Sequence, residues 1–199
     1  MCALIAEDQR LIALALRSRL ELQGYEVVGI AGTGTEVLDL FSLASPQIVL
    51  MDVRMPEMDG IEATRALMER DPACVVIVAA SREPGQIKRG EEAGAMDYVM
   101  KPFEAYQMRP VLESAQRRFE RFMALRRDVG NPREALEAWL LVRRAVKALM
   151  ETGDMSEDEA HSEVQQRASS RGRLTFDTDL PRQPGAIGAE RSPSRVHTT

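Results

Sequence analysis

The stretch IVLMDVRMPEMDG, residues 48–60, changes character at its fifth residue. Ile48 to Met51 are apolar without interruption, and a run that short and that apolar reads as a strand buried on both faces of a parallel sheet. The residues after Asp52 cannot prolong it. Pro56 lacks a backbone donor, and Asp59-Gly60 is turn chemistry. Asp52 therefore stands where a buried strand opens into a loop, at the carboxyl edge of a sheet, where open α/β sheets place their ligands. Taken alone, such an aspartate is equally a capping or turn residue, and the remainder of the chain has to separate the two readings.

Working outward, Ala3 to Ala6 reads as a first strand that ends in the adjacent acids Glu7 and Asp8. Gln9 to Gln23 is an amphipathic helix, with Leu11, Leu14, Ala15, Leu16, Leu20 and Leu22 as its apolar residues and Gly24 as its cap. Tyr25–Ala31 is a second strand. Thr35–Ser45 is a helix with Val37, Leu38, Leu40, Phe41 and Ala44 inward. After the 48–51 strand comes a helix over Ile61–Arg70, broken by Asp71-Pro72. Val75–Ala79 is a fourth, β-branched strand, Pro84-Gly85 opens a helix ending at Ala93-Gly94, and Tyr98–Met100 is a fifth strand before Lys101-Pro102-Phe103. Strands alternating with helices at this spacing predict βαβ units and a five-stranded, doubly wound parallel α/β sheet. Its strands bring Glu7, Asp8, Asp52, Ala79 and Lys101 to one crevice.

Three carboxylates converging there require a partner cation, and an all-oxygen ligand set favours Mg²⁺. A lysine opposite them pairs as a point charge and can follow a phosphate. The set fits phosphoryl transfer, with Asp52 as nucleophile.

The chain has 26 basic and 31 acidic residues. Residues 1–103 hold 10 basic and 16 acidic side chains, whereas 109–147 hold ten basic and five acidic, so an acidic domain is followed by a basic connector. Cys2 and Cys74 form no disulfide framework or metal-type spacing. No apolar run is long enough for a membrane span, and Met1-Cys2-Ala3 shows no signal-peptide pattern, so a cytoplasmic location is expected.

LIAEDQ, IVLMDVRMPEMDG and YVMKPF, in this order and spacing, resemble the receiver domain of bacterial two-component response regulators over about residues 1–122. The resemblance implies a flavodoxin-like fold and a sensor histidine kinase as partner. It implies phosphorylation of Asp52, Mg²⁺ bound by Asp8, Glu7, Asp52 and the carbonyl of Arg54, and roles for Lys101 in phosphate binding and for Tyr98 as an aromatic switch. It also implies a cis peptide before Pro102. One position departs: the family's Thr or Ser at the end of the fourth strand is Ala79, with Ser81 two residues beyond. Either the loop brings Ser81 in, or phosphorylation is coupled less tightly to Tyr98.

Beyond the receiver, helices are predicted over Glu104–Arg127, Arg133–Met150 and Glu157–Ala168, interrupted at Gly130-Asn131-Pro132. Ser156 and Glu159 form a capping-box pattern. Trp139 reads as a core or dimer-seam residue. Residues 142–174 resemble the ANTAR domain through Met150, Ser156, Glu159, Ala160, Val164, Ala168 and Arg171. That resemblance implies a small all-α domain (133–180) after a helical linker (123–132), binding RNA hairpins and acting in transcription antitermination. Arg143, Arg144, Lys147, Arg167, Arg171 and Arg173 are the candidate RNA contacts. Lys147, Trp139 and His161 depart from that family's pattern, and the segment after Leu174 is poorly helical. Residues 181–199 read as a disordered tail. A homodimer through 107–127 or 133–150 is a further expectation. After residue 103 no nucleophile–base pair or metal cluster points to an enzymatic output. The reading that competes with RNA binding is a signalling adaptor acting through protein partners.

Overall fold

The structure, a computed structural model, describes residues 1–81, 83–103 and 105–170. Strands β1 (Cys2–Ala6), β2 (Glu26–Ala31), β3 (Ile48–Asp52), β4 (Val75–Ala79) and β5 (Asp97–Met100) alternate with helices α1 (Arg10–Leu22), α2 (Gly34–Ala44), α3 (Gly60–Arg70) and α4 (Pro84–Ala93). The strands form one parallel sheet in the order β2-β1-β3-β4-β5. The five-stranded, doubly wound sheet expected from the alternation is thus present. Its logic is visible in burial: every residue of β3 and β4 is buried, because both faces of the central strands are covered, while β2 at the edge is mostly half-exposed.

Beyond β5 the chain forms three more helices: α5 (Ala105–Val129), α6 (Pro132–Thr152) and α7 (Glu157–Ser170). It turns at Gly130, which takes a positive φ of 76°, and Asn131 caps α6 by accepting from the amides of Arg133 and Glu134. Because α6 turns back, its apolar face meets α5 and α3. Phe122 and Trp139 meet edge to face at a centroid distance of 6.0 Å, and Ala135, Leu136 and Trp139 share one buried cluster with Ile5, Leu50 and Val76. The first half of α6 thus packs into the receiver's core, while Val142 and Val146 of its second half form a separate cluster with Ala160 and Val164 of α7.

Two apolar faces are distributed unevenly. In α1 the buried residues are Ala13, Leu16 and Leu20, whereas Leu11 and Leu22 are more than 80 % exposed and Leu14 is exposed as well. At 100° per residue these three leucines lie more than 100° around the helix from Leu16. The apolar stripes of α5 and α6 offered as a dimer seam are occupied inside the protomer: Met108, Leu112, Ala115, Phe122, Leu136 and Trp139 are all buried. Of the two readings of Trp139, the core is the one observed, at 2 % exposure. The tail 181–199 and the candidates Arg171 and Arg173 lie outside the described residues.

Candidate functional site

The crevice is assembled from the carboxyl ends of β1, β3 and β5. Glu7 follows β1 and donates its amide to Ala31 at the end of β2 (2.9 Å), which holds the start of the loop. Asp52 is the last residue of β3 and only 6 % exposed; Glu7 is 2 % exposed, and Asp8 is exposed. One carboxylate oxygen from each of the three can be chosen so that all lie within 4.8 Å of one another. Lys101, just past β5, reaches between them: its Nζ lies 2.5 Å from Glu7 Oε2 and 3.1 Å from Asp52 Oδ1. Its amide donates to the carbonyl of Ala79 (2.8 Å), and the Lys101–Pro102 peptide is cis. Burial pushes the Glu7 carboxyl above its ordinary range; the hydrogen bond from Lys101 opposes this, and the charge of Asp52 adds to it.

The loop after Asp52 is closed by backbone contacts that only certain residues permit. Gly60 opens α3 directly beneath β3; a Cβ there would lie 1.8 Å from the Asp52 carbonyl oxygen. Asp59 caps α3 in a reciprocal box with Glu62, so Asp59-Gly60 is a helix start as well as a turn. The other oxygen of Asp59 accepts from Arg89 of α4 (3.1 Å), tying the loop to the neighbouring helix. Glu57 carries the loop's positive φ of 65°. Arg54, two residues past Asp52, has its side chain exposed.

A buried carboxylate, two further acids within a few ångströms and one shared ammonium form an oxygen-rich acidic pocket. The receiver-domain model of response regulators matches residues 3–113. The chain belongs to the response regulator receiver family. It is 39 % identical over 168 residues to the transcriptional regulatory protein PdtaR of Mycobacterium tuberculosis, covering 84 % of this chain and 82 % of that one. It is 35 % identical over 102 residues to the chemotaxis protein CheY of Thermotoga maritima, covering 51 % of this chain and 85 % of CheY. Among solved structures, the response regulator domain of Thermotoga maritima CheB superposes with a TM-score of 0.55 at 25 % identity, over 59 % of this chain and 96 % of that one. No described helix is long and apolar enough to cross a membrane.

Of the receiver's remaining candidate residues, Ala79 ends β4 and is buried, while Ser81 donates to Glu83 Oε1 (3.2 Å) beside it. Tyr98 donates its hydroxyl to the Ile87 carbonyl of α4 (2.6 Å), in a gap kept open by Gly90, where a Cβ would come 2.0 Å from the Tyr98 hydroxyl oxygen. In the helices after the receiver, Arg144 and Lys147 are exposed on α6, and Arg167 pairs with Glu163 (2.6 Å) on α7. Arg143 is a correction. Offered by the ANTAR resemblance as an RNA contact, it is half-buried and its guanidinium donates to the Ala95 carbonyl between α4 and β5 (2.6 Å). Burial, reinforced by the nearby Arg118, weighs against its charge.

Arg118 carries no signal in the sequence that would single it out. It donates to the Met96 carbonyl (2.9 Å), pairs with Asp97 (2.9 Å), and grips Glu157 at the start of α7 through two 2.8 Å bonds. Nothing in a basic helix marks one arginine as a hub; only the meeting of β5, α5 and α7 does so.

Proposed function

We propose that Asp52 accepts a phosphoryl group from a sensor histidine kinase and that the helices after the receiver convey this state to RNA. The observation that carries the first half is the placement of Asp52 at the end of β3, with Glu7 and Asp8 alongside and Lys101 Nζ 3.1 Å from its Oδ1. A carboxylate oxygen of Asp52 attacks the phosphorus of a kinase phosphohistidine. A P–O bond forms, the P–N bond breaks, and the leaving imidazole keeps the electron pair and takes a proton from solvent. The all-oxygen donor set of Glu7, Asp8, Asp52 and the Arg54 carbonyl suits Mg²⁺, which when bound would neutralise the phosphoryl oxygens. Lys101, already within bonding distance of Asp52, pairs with the acyl phosphate as a point charge. Buried Ala79 offers no side-chain donor to that group, so Lys101 is the residue that secures it from the β5 side.

Support for the second half is the similarity to PdtaR, a transcriptional regulatory protein, over a span too long to end within the receiver. The ANTAR-like pattern in α6 and α7 and the exposed Arg144 and Lys147 add to it. The acids Asp154, Asp158, Glu159 and Glu163, which line one surface concavity on α7 and the turn before it, favour the adaptor reading instead.

Acetyl phosphate with Mg²⁺ tests the first half: intact-mass analysis should show one acid-labile phosphoryl group, absent in Asp52→Asn. Equal labelling of the variant would overturn the assignment. Binding of hairpin RNAs across a salt series tests the second, because neutralised phosphates release counterions. No binding at low salt, phosphorylated or not, would leave the adaptor reading.

A further inference from the structure

One side chain ties the loop after Asp52 to α4. Asp59 uses both carboxylate oxygens: Oδ1 accepts from the Glu62 amide (2.8 Å) inside the capping box, and Oδ2 accepts from Arg89 Nη2 (3.1 Å). Next to Asp59, the Gly60 amide donates to the Val53 carbonyl (3.0 Å), and Gly60 packs against the Asp52 carbonyl with no room for a Cβ. Contacts therefore run without a gap from the peptide of Asp52 through Gly60 and Asp59 to Arg89. At the far end, the Ile87 carbonyl of α4 holds the Tyr98 hydroxyl (2.6 Å). Among the described residues, the other ion pair of α4, Lys88–Glu92, stays within the helix. A path from the pocket to α4 along β4 has no free side-chain donor at Ala79 or Ser81: Ala79 carries a methyl group, and Ser81 is engaged with Glu83.

We infer that Arg89 reports the state of Asp52 to α4, through Asp59, in place of a side chain at the end of β4. Such a report presupposes the proposed phosphorylation of Asp52. In the unphosphorylated arrangement the Arg89–Asp59 pair is made, so a report through it is a release. A phosphoryl group on Asp52 adds charge and bulk where Lys101 now bridges Asp52 and Glu7. The residues around it differ in how easily they move. Glu7, Asp52 and Ala79 are buried, whereas Arg54, Pro56 and Glu57 of the loop are exposed, so the loop is the side of the pocket that gives way. Asp59 ends that loop, and a shift of about 1 Å takes a 3.1 Å contact beyond hydrogen-bonding distance. Release leaves α4, and with it the Ile87 carbonyl that holds Tyr98, less restrained. The side chains of Arg89 and Asp59 are 56 % and 32 % exposed, so the pair is worth a few-fold in the equilibrium and not orders of magnitude.

Hydrogen exchange of the full-length chain, read by mass spectrometry on peptides covering Pro84–Ala93, tests this. Treatment with acetyl phosphate and Mg²⁺ should speed exchange of α4 in the wild type about two- to fivefold, the reach of a pair this exposed, once corrected for the labelled fraction found by intact mass. Asp52→Asn should show no change. Arg89→Gln should exchange at the faster rate before treatment and respond no further. Asp59→Asn keeps a cap acceptor but loses the charge, and should behave as Arg89→Gln does. Lys88→Gln removes a charge from the neighbouring exposed residue and should respond as the wild type does. A melt followed by circular dichroism establishes that each variant is folded. Exchange of α4 that labelling leaves unmoved in the wild type overturns the inference. So does a wild-type response in Arg89→Gln, or a lost response in Lys88→Gln. If the wild type takes up no phosphoryl group at Asp52, the phosphorylation reading falls and the inference with it. If Asp52 is labelled and α4 stays silent, only the inference falls.

Discussion

Replacing Gly60 by alanine sets two effects of opposite sign against each other. Gly60 is the first residue of α3 and has no positive φ, so backbone preference alone favours alanine, by up to about 1 kcal/mol in a helix interior and less at its first position. Sterics oppose it. The new Cβ would lie 1.8 Å from the Asp52 carbonyl oxygen and 2.8 Å from Met51 Cγ. Reaching even a 3.0 Å contact separates β3 from the start of α3 by about 1.2 Å. Neither side yields easily: the obstacle is backbone at the end of a fully buried strand, and α3 is anchored by the Asp59–Glu62 box and by Thr64, which donates to the Gly60 carbonyl (2.6 Å). Overpacking of this kind costs roughly 1–3 kcal/mol, so sterics win. The displacement falls on the peptide of Asp52, the proposed acceptor. A shift of about 1 Å at reacting groups can cost about a hundredfold in rate. Gly60→Ala should therefore lower the melting temperature and slow labelling by acetyl phosphate with Mg²⁺ by one to two powers of ten. The assay is a melt monitored by circular dichroism beside a labelling time course read by intact mass. A melting temperature at or above wild type with an unchanged labelling rate would refute the reasoning.

Trp139→Ala should cost about 3–5 kcal/mol, the range for truncating a buried large aromatic, and the chain should still melt in one transition; a receiver transition left at the wild-type temperature would show that α6 is not part of its core. His161 is held below its ordinary value of 6.5, chiefly by burial and then by Arg121. A depressed value means that its contribution to stability is present above 6.5 and lost as pH falls through the folded value. His161→Phe should flatten the dependence of stability on pH below 6.5, and denaturant midpoints measured across that range would expose an unchanged slope. Glu157 is held low chiefly by the Arg118 hydrogen bond, so its contribution is present above 4.5 and lost on further acidification; Trp139 emission should report loosening there in the wild type and less in Glu157→Gln. Chelating divalent cations should suppress labelling of Asp52, and labelling undiminished in excess chelator would remove the metal from the proposed chemistry.

Much of the receiver was legible because its signals are local or periodic. The apolar runs 48–51 and 75–79 are buried along their whole length, and the acids and lysine at strand ends meet because parallel βαβ units send every carboxyl end to one edge. Apolar composition alone does not give the buried face of α1: Leu16 and Leu20 are buried, whereas Leu11, Leu14 and Leu22 are exposed.

The chain alone determined the alternation of elements, the parallel sheet, the edge at which Glu7, Asp8, Asp52 and Lys101 gather, and Gly130-Asn131-Pro132 as the break between α5 and α6. Each of these follows from side-chain pattern, turn chemistry or chain connectivity within a few residues. Tertiary structure alone decided that α6 folds back into the receiver's core, that Trp139 packs against Phe122, and that Arg143 and Arg118 turn inward to carbonyls of residues 95 and 96. An arginine on a basic amphipathic helix has the same local pattern whether it faces water, RNA or a backbone carbonyl. Its fate depends on which element passes within reach, and that contact joins residues 22 to 48 positions apart in the chain.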